Sequence, residues 1–180
     1  MVTLEYYLIK FIGKIKRDKH EETLNNWFMK KGVHLPIGGG NVRINCNIAK
    51  NEPHLITIGE NTTIAGDVEF VTHDNSISKV IPNTTDLFGK ITIGKNCFIG
   101  ARSVILYGVT ITDHVIVAAG SVVSKSITEQ NVIVAGNPAK IISSWNEFAE
   151  KSKPYTWNLY KTSRQEMIEK TLSGEKLILR

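Results

Sequence analysis

Cysteine is nearly absent from this chain: its 180 residues hold two, Cys46 and Cys97, with no CxxC pair. That excludes a disulfide framework and a zinc ribbon and points to a reducing compartment. Long apolar runs are missing as well. The one N-terminal apolar stretch, residues 6–15, is interrupted by Lys10 and Lys14 and lacks a small-residue cleavage site. Neither a signal peptide nor a membrane span is therefore expected, and the expected location is cytoplasmic. The centre of the chain also lacks any excess of charge. Of 22 basic and 17 acidic residues, seven and four fall in residues 1–31 and seven and five in residues 141–180, leaving eight of each between. Basicity confined to the ends argues against a nucleic-acid platform, which needs a dedicated phosphate-neutralising face. At 42% hydrophobic and 22% charged residues, the chain has the composition of a folded, soluble domain with appendages.

What the chain has in abundance is a period of six. Ile93, Ile99, Ile105, Ile111, Val117 and Val123 are evenly spaced, and an earlier run keeps the same step through Ile58, Ile64 and Phe70. Six matches neither the helical period nor strand alternation, but it is a repeat length of parallel β-helices. Each unit then makes one short side of a triangular coil, its aliphatic first residue pointing to the axis, and three units complete a turn. The fifth positions, Cys97, Ser103, Val109, Val115 and Ser121, are compact and also face inward. Ordinary strands with an accidental spacing do not account for six consecutive in-phase positions.

Residues 1–31 read as helix, with Leu4, Leu8, Phe11, Ile12 and Ile15 on one stripe and Lys10, Lys14, Lys16 and Arg17 largely elsewhere, and Gly32 as the stop. Two roles fit this segment: a helix drawn to an anionic membrane surface, or a cap on the prism or a neighbouring subunit. In the C-terminal extension, residues 143–180, Ser163 and Glu166 form a capping-box pattern that predicts a short structural helix to about Leu172. Between them, residues 32–142 form the repeat domain. Its register is lost over residues 72–90, a polar stretch with Pro82 that predicts an extruded loop of functional length.

Of the five histidines, His20, His34 and His114 read as solvated or structural, and His54 stands in a short insertion between coils without an assigned role. His73 stands where a coil gives way to the loop. A rigid wall fixes it there while the loop shields it, which suits a general base.

With the tandem repeats, the Thr-His73-Asp74 element, the run ITIGKNCFIGARSVILYGVTI and the closing VIVAGNPAKII, residues 41–142 resemble the hexapeptide-repeat acyltransferases. The likeness is greatest to the galactoside and maltose acetyltransferases and the surface-polysaccharide O-acetyltransferases. The resemblance implies a left-handed parallel β-helix, an exception to the right-handed crossover rule. It also implies a homotrimer with sites between subunits, and transfer of acetyl from acetyl-CoA to a hydroxyl of a saccharide. By that resemblance His73 is the catalytic base, Asn45, Asp74 and Phe98 contact the acceptor, and the backbone N–H at Ala101 stabilises the oxyanion. Ala119 meets the pantetheine arm, Ser124, Lys125 and Lys140 lie near the nucleotide end of the cofactor, and Pro138 lines its adenine. No acyl-enzyme is expected, because Cys97 holds an inward packing position, and no metal is expected.

Three other readings compete. N-acetylation of an amino sugar would use the same base and groove. A γ-type carbonic anhydrase would bind zinc through converging histidines, but five residues beyond His73 stands Ser78. A non-catalytic β-helix scaffold would leave the His73 and AGNPAK elements without a role. The N-terminal segment and the loop after His73 depart from the sugar acetyltransferase pattern, which leaves the acceptor open. Peripheral contact at the inner membrane surface is a further expectation, resting on Lys10, Lys14, Lys16 and Arg17.

Overall fold

An aliphatic residue at every sixth position can reach one common axis if the chain bends three times between returns to the same side, and the computed structural model has that arrangement. It describes residues 2–15, 20–38 and 40–178. The first coil holds β1 (Arg43–Ile44), and the second holds β2 (Ile56–Ile58), β3 (Thr63–Ile64) and β4 (Glu69–Val71). An excursion follows, opened and closed by β5 (His73–Asp74) and β6 (Leu87–Phe88). The third coil holds β7 (Ile91–Ile93), β8 (Phe98–Ile99) and β9 (Val104–Leu106), and the fourth β10 (Thr110–Ile111), β11 (Val115–Val117) and β12 (Val122–Val123). After them come β13 (Val132–Gly136) and β14 (Ala139–Ser144).

The coils stack in parallel into three faces. Face A is β2, β7 and β10; face B runs β1, β3, β8, β11, β13 and β14; face C is β4, β9 and β12. Register follows the repeat: Ile93 lies opposite Ile111, Ile99 opposite Val117 and Ile105 opposite Val123, each three hexapeptides on. All six of these residues are buried, as are Ile58, Ile64 and Phe70 and the fifth-position residues Cys97, Ser103, Val109, Val115 and Ser121. Each such isoleucine or valine removed from water stabilises by roughly 1.5–3 kcal/mol, so the prism gains stability coil by coil.

The three edges differ in how they turn. The A/B edge is made by Asn61, Asn96 and His114 in the left-handed region, φ 54–59°, a conformation that asparagine and histidine tolerate better than most side chains. His114 Nε2 lies 3.3 Å from Asn96 Nδ2 in the neighbouring coil, which fits the structural reading of that histidine. The B/C edge combines Asp67 and Arg102 in the left-handed region with the small residues Gly100, Ala101, Ala118 and Ala119. A Cβ on Gly100 would run into the backbone N of Ala119, so the two turns stack as closely as backbone allows. The C/A edge is where the excursion leaves.

Residues 1–31 form two helices rather than one, α1 (Val2–Ile15) and α2 (His20–Lys30). Gly32, at φ +105°, ends α2 as expected, with Val33 N donating to Phe28 O at 3.1 Å. Of the predicted aliphatic stripe, the side chains of Ile12 and Ile15 lie outside the described residues, and the other three are not the ones of α1 that pack. Tyr6 is the buried residue, against Trp27 and Phe28 of α2 at ring-centroid distances of 5.8 and 6.1 Å, whereas Leu4, Leu8 and Phe11 are exposed. An aromatic opposite two aromatics buries more apolar area than the aliphatics would. Lys16 and Arg17 lie outside the described residues.

The chain divides into two compact units, one ending at Ile142 and the other spanning Ser143–Arg180. The second contains α3 (Trp145–Ser152) and α4 (Arg164–Leu172). Ser163 caps α4 by accepting from Glu166 N at 3.1 Å, as its spacing predicts. The complete capping box sits on α3, where Ser144 Oγ accepts from Glu147 N and Glu147 returns the bond to Ser144 N.

Candidate functional site

His73 is fixed from two sides at the C/A edge. It begins β5, which pairs antiparallel with β6, so His73 lies opposite Phe88 with the rings 5.9 Å apart between centroids. Beneath it, at the same edge of the first coil, stands Glu52. Glu52 Oε2 accepts from Thr72 Oγ1 at 2.5 Å and lies 2.9 Å from His73 Nδ1. A carboxylate can only accept, so Nδ1 carries the proton and Nε2 is the basic nitrogen. The Glu52 hydrogen bond holds the His73 pKa above its ordinary value, and the charge of Glu52 adds to the effect against a smaller opposing cost of desolvation. For Glu52, burial alone would raise the carboxyl, but the bonds from Thr72 and His73 outweigh it and hold it below the usual range.

Asp74 is tied down separately. Its Oδ1 accepts from Ser76 N at 2.8 Å and its Oδ2 from Tyr107 Oη at 3.1 Å, and the Ser76 backbone bond leads in lowering its pKa. Tyr107, whose hydroxyl is held protonated by that bond, comes from the C/A edge of the third coil.

The remaining predicted residues fall into separate groups. Asn45 follows β1 directly and is exposed, its N–H donating to Ile64 O at 2.9 Å. It lines a cavity of about 190 Å³ with Tyr7, Lys10, Asn47, Lys50 and Glu69. A smaller depression that includes Glu52 and Thr72 shares Asn47, Lys50 and Glu69 with it. Two depressions thus lie along face C in the first coil, one lined by Asn45 and a much smaller one by Glu52, the partner of His73. Ala101 and Ala119 stack on the B/C edge, Gly120 N donating to Ala101 O at 2.9 Å. Phe98 is exposed on face B. Ser124 and Lys125 are exposed at the C/A edge just after β12, while Pro138, in a cis peptide with Asn137, and Lys140 are exposed around the start of β14. One chain therefore places Asp74 next to His73 and Ser124 and Lys125 on the same C/A edge two coils on, with Asn45 in the cavity of the first coil and Ala101 and Ala119 one edge away.

Cys97 is held as packing. Its Sγ donates to Thr112 O at 3.2 Å, and burial pushes the thiol pKa up, the opposite of what a nucleophile needs. Two residues of the site were not singled out from sequence, Glu52 and Tyr107. The signal for Glu52 was the interruption between coils at residues 51–54, whose first outward-reaching carboxylate it is. Tyr107 carries no sequence signal beyond being a bulky residue at a C/A turn.

The coil has known counterparts. A family model described as the hexapeptide repeat of succinyl-transferase matches residues 90–125. The protein CapG of Staphylococcus aureus is 40% identical over 144 residues, which cover 78% of this chain and 80% of CapG. The galactoside O-acetyltransferase of Escherichia coli K12 is 34% identical over 135 residues, 74% of this chain and 64% of that enzyme. The crystal structure of a maltose O-acetyltransferase from Clostridium difficile 630 superimposes with a TM-score of 0.52 at 21% identity, covering 79% of this chain and 87% of that one, which establishes the likeness of fold, a left-handed β-helix. Sequence kinship over most of the length, a matching repeat and a shared coil agree: this chain belongs to the hexapeptide-repeat acetyltransferases.

Proposed function

We propose that this acetyltransferase moves acetyl from acetyl-CoA to a hydroxyl of a saccharide by direct transfer, with His73 as base. The observation that carries the reading is the 2.9 Å contact of His73 Nδ1 with Glu52, which leaves Nε2 as the basic nitrogen on a rigid edge. The acceptor hydroxyl oxygen attacks the thioester carbonyl carbon while its proton passes to Nε2. The negative charge that develops on the carbonyl oxygen is met by a backbone N–H at Ala101. Collapse of the tetrahedral intermediate breaks the C–S bond, and the imidazolium returns its proton to the leaving thiolate. Glu52 keeps the ring in one tautomer and stabilises the imidazolium between the two transfers. The cavity lined by Asn45 holds the saccharide, and Lys125 and Lys140 meet the phosphates of the cofactor.

Because Ala101 and Ala119 stand one edge away from His73, the donor site is completed by a second copy of the chain. Its B/C edge faces the C/A edge of the first, in a closed trimer. Val80, Ile81 and Phe88, exposed on the excursion beside His73, suit such a contact. The expected signature is release of free thiol from acetyl-CoA that depends on an added mono- or oligosaccharide and is lost in His73→Ala. Turnover unchanged in that variant would refute the role of the base. Mixing His73→Ala with Ala119→Trp chains tests the shared site: random trimers should recover about a quarter of wild-type turnover, although each variant alone is inactive. No recovery would place the whole site within one chain.

A further inference from the structure

The apolar residues of α1 divide between two faces. Tyr6, 2% exposed, belongs to the core with Trp27 and Phe28. Leu4, Tyr7, Leu8 and Phe11, at the i, i+3, i+4, i+7 spacing of a single stripe, are 77, 62, 57 and 64% exposed. Four large apolar side chains in a row on one helix are a patch that water does not favour, and such patches mark contact with a partner or a lipid surface.

Charge decides between the two. The one carboxylate of α1, Glu5, is drawn toward the α2 side, 2.7 Å from Lys31 Nζ, and accepts from Trp27 Nε1 at 3.4 Å. The stripe is followed in sequence by Lys14, Lys16, Arg17 and Lys19 against Asp18 alone, and Lys10 lies within α1 itself. A second copy seated on this helix would bring like charges together with no carboxylate of α1 left to pair with them. An anionic surface would attract the same cations while taking up the apolar side chains. No described helix is long and apolar enough to cross a membrane, so the contact would be in the plane of the surface.

We propose that α1 is an interfacial helix that docks the protein on an anionic lipid bilayer, with Leu4, Leu8 and Phe11 inserted at the level of the headgroups and the cations that follow in sequence supplying the preference for negative charge. Tyr7 belongs both to this stripe and to the cavity that holds Asn45, so docking sets that cavity beside the lipid surface. The proposal stands independently of the acyl-transfer chemistry.

Co-sedimentation of the full chain with vesicles tests it, using phosphatidylcholine alone and phosphatidylcholine mixed with phosphatidylglycerol in equal parts. The wild-type chain should partition onto the mixed vesicles, less so as salt is raised, and about tenfold less onto the neutral ones. Leu8→Ser with Phe11→Ser should weaken binding to mixed vesicles about tenfold, with the far-ultraviolet circular dichroism and the oligomeric state unchanged. A second variant, Lys14→Gln with Lys16→Gln and Lys19→Gln, should remove the preference for the anionic vesicles. Three results would overturn the proposal: no binding of the wild-type chain to mixed vesicles, equal binding of both variants and wild type, or a change of oligomeric state in the stripe variant, which would assign the face to a second copy.

Discussion

Two edges of one prism, built from the same repeat, have been put to different uses. At the B/C edge the repeat is unbroken: Gly100, Ala101, Ala118 and Ala119 turn in successive coils with backbone against backbone. At the C/A edge the repeat is interrupted twice, by residues 51–54 and by the excursion after Thr72, and Glu52, His73, Asp74 and Tyr107 gather there. Where Gly100 meets the backbone of Ala119 the stacked turns leave no room for a larger side chain. A broken turn releases side chains from the packing constraint and lets them meet across coils. In this molecule the hydrogen-bonded histidine, carboxylates and tyrosine lie where the period fails, and the close-stacked small residues lie where it holds.

Removing the base breaks the comparison most severely. His73→Ala should lower kcat/KM for acetyl transfer by about 10²- to 10⁴-fold with the thermal midpoint little changed, because the imidazole is an edge residue and not part of the core. Turnover near wild type would move the chemistry away from the interrupted edge.

Glu52→Gln sharpens it. An amide keeps the hydrogen bond but not the charge, so kcat should fall by roughly 10- to 100-fold. The pH dependence carries a sign. Glu52 raises the His73 pKa, and the reaction needs the neutral ring, so activity in the wild-type chain falls as pH drops through that raised value. Without the carboxylate the acidic limb of the kcat/KM profile should move to lower pH. A limb that stays in place would assign it to another group.

The unbroken edge should answer in stability instead. Gly100→Ala forces a methyl against the backbone of Ala119, which cannot move without opening the stack. The cost should be about 1–3 kcal/mol, read from urea or thermal unfolding. The smallest effect is expected from Tyr107→Phe, which removes one hydrogen bond to Asp74 and should change KM for the saccharide by less than about tenfold with kcat kept.

The repeat was legible because it is local. The first-position residues Ile93, Ile99, Ile105, Ile111, Val117 and Val123 are buried six residues apart, and the fifth positions are compact for the same reason. His73 was legible from its place at the end of a regular run, which the family resemblance reinforced. Glu52 was not, since it lies 21 residues before His73 and only the lengths of the insertions bring the two into adjacent coils. The covered face of α1 was not legible either. The aliphatic stripe has the stronger helical pattern, yet Tyr6 is the residue that finds Trp27 and Phe28 opposite it.

By itself, then, the amino-acid order determined a triangular coil, its inward residues and the place of its interruption, because each of these depends on neighbours six residues apart. Which residues face one another from coil to coil was decided only in three dimensions. Ile99 lies opposite Val117 eighteen residues on, but Ile64 lies opposite Ile99 across the excursion, a separation the six-residue period does not set. Stacking energy sets that register through the backbone ladder, and the pairing of Glu52 with His73, like the separation of His73 from Ala101, is a consequence of it.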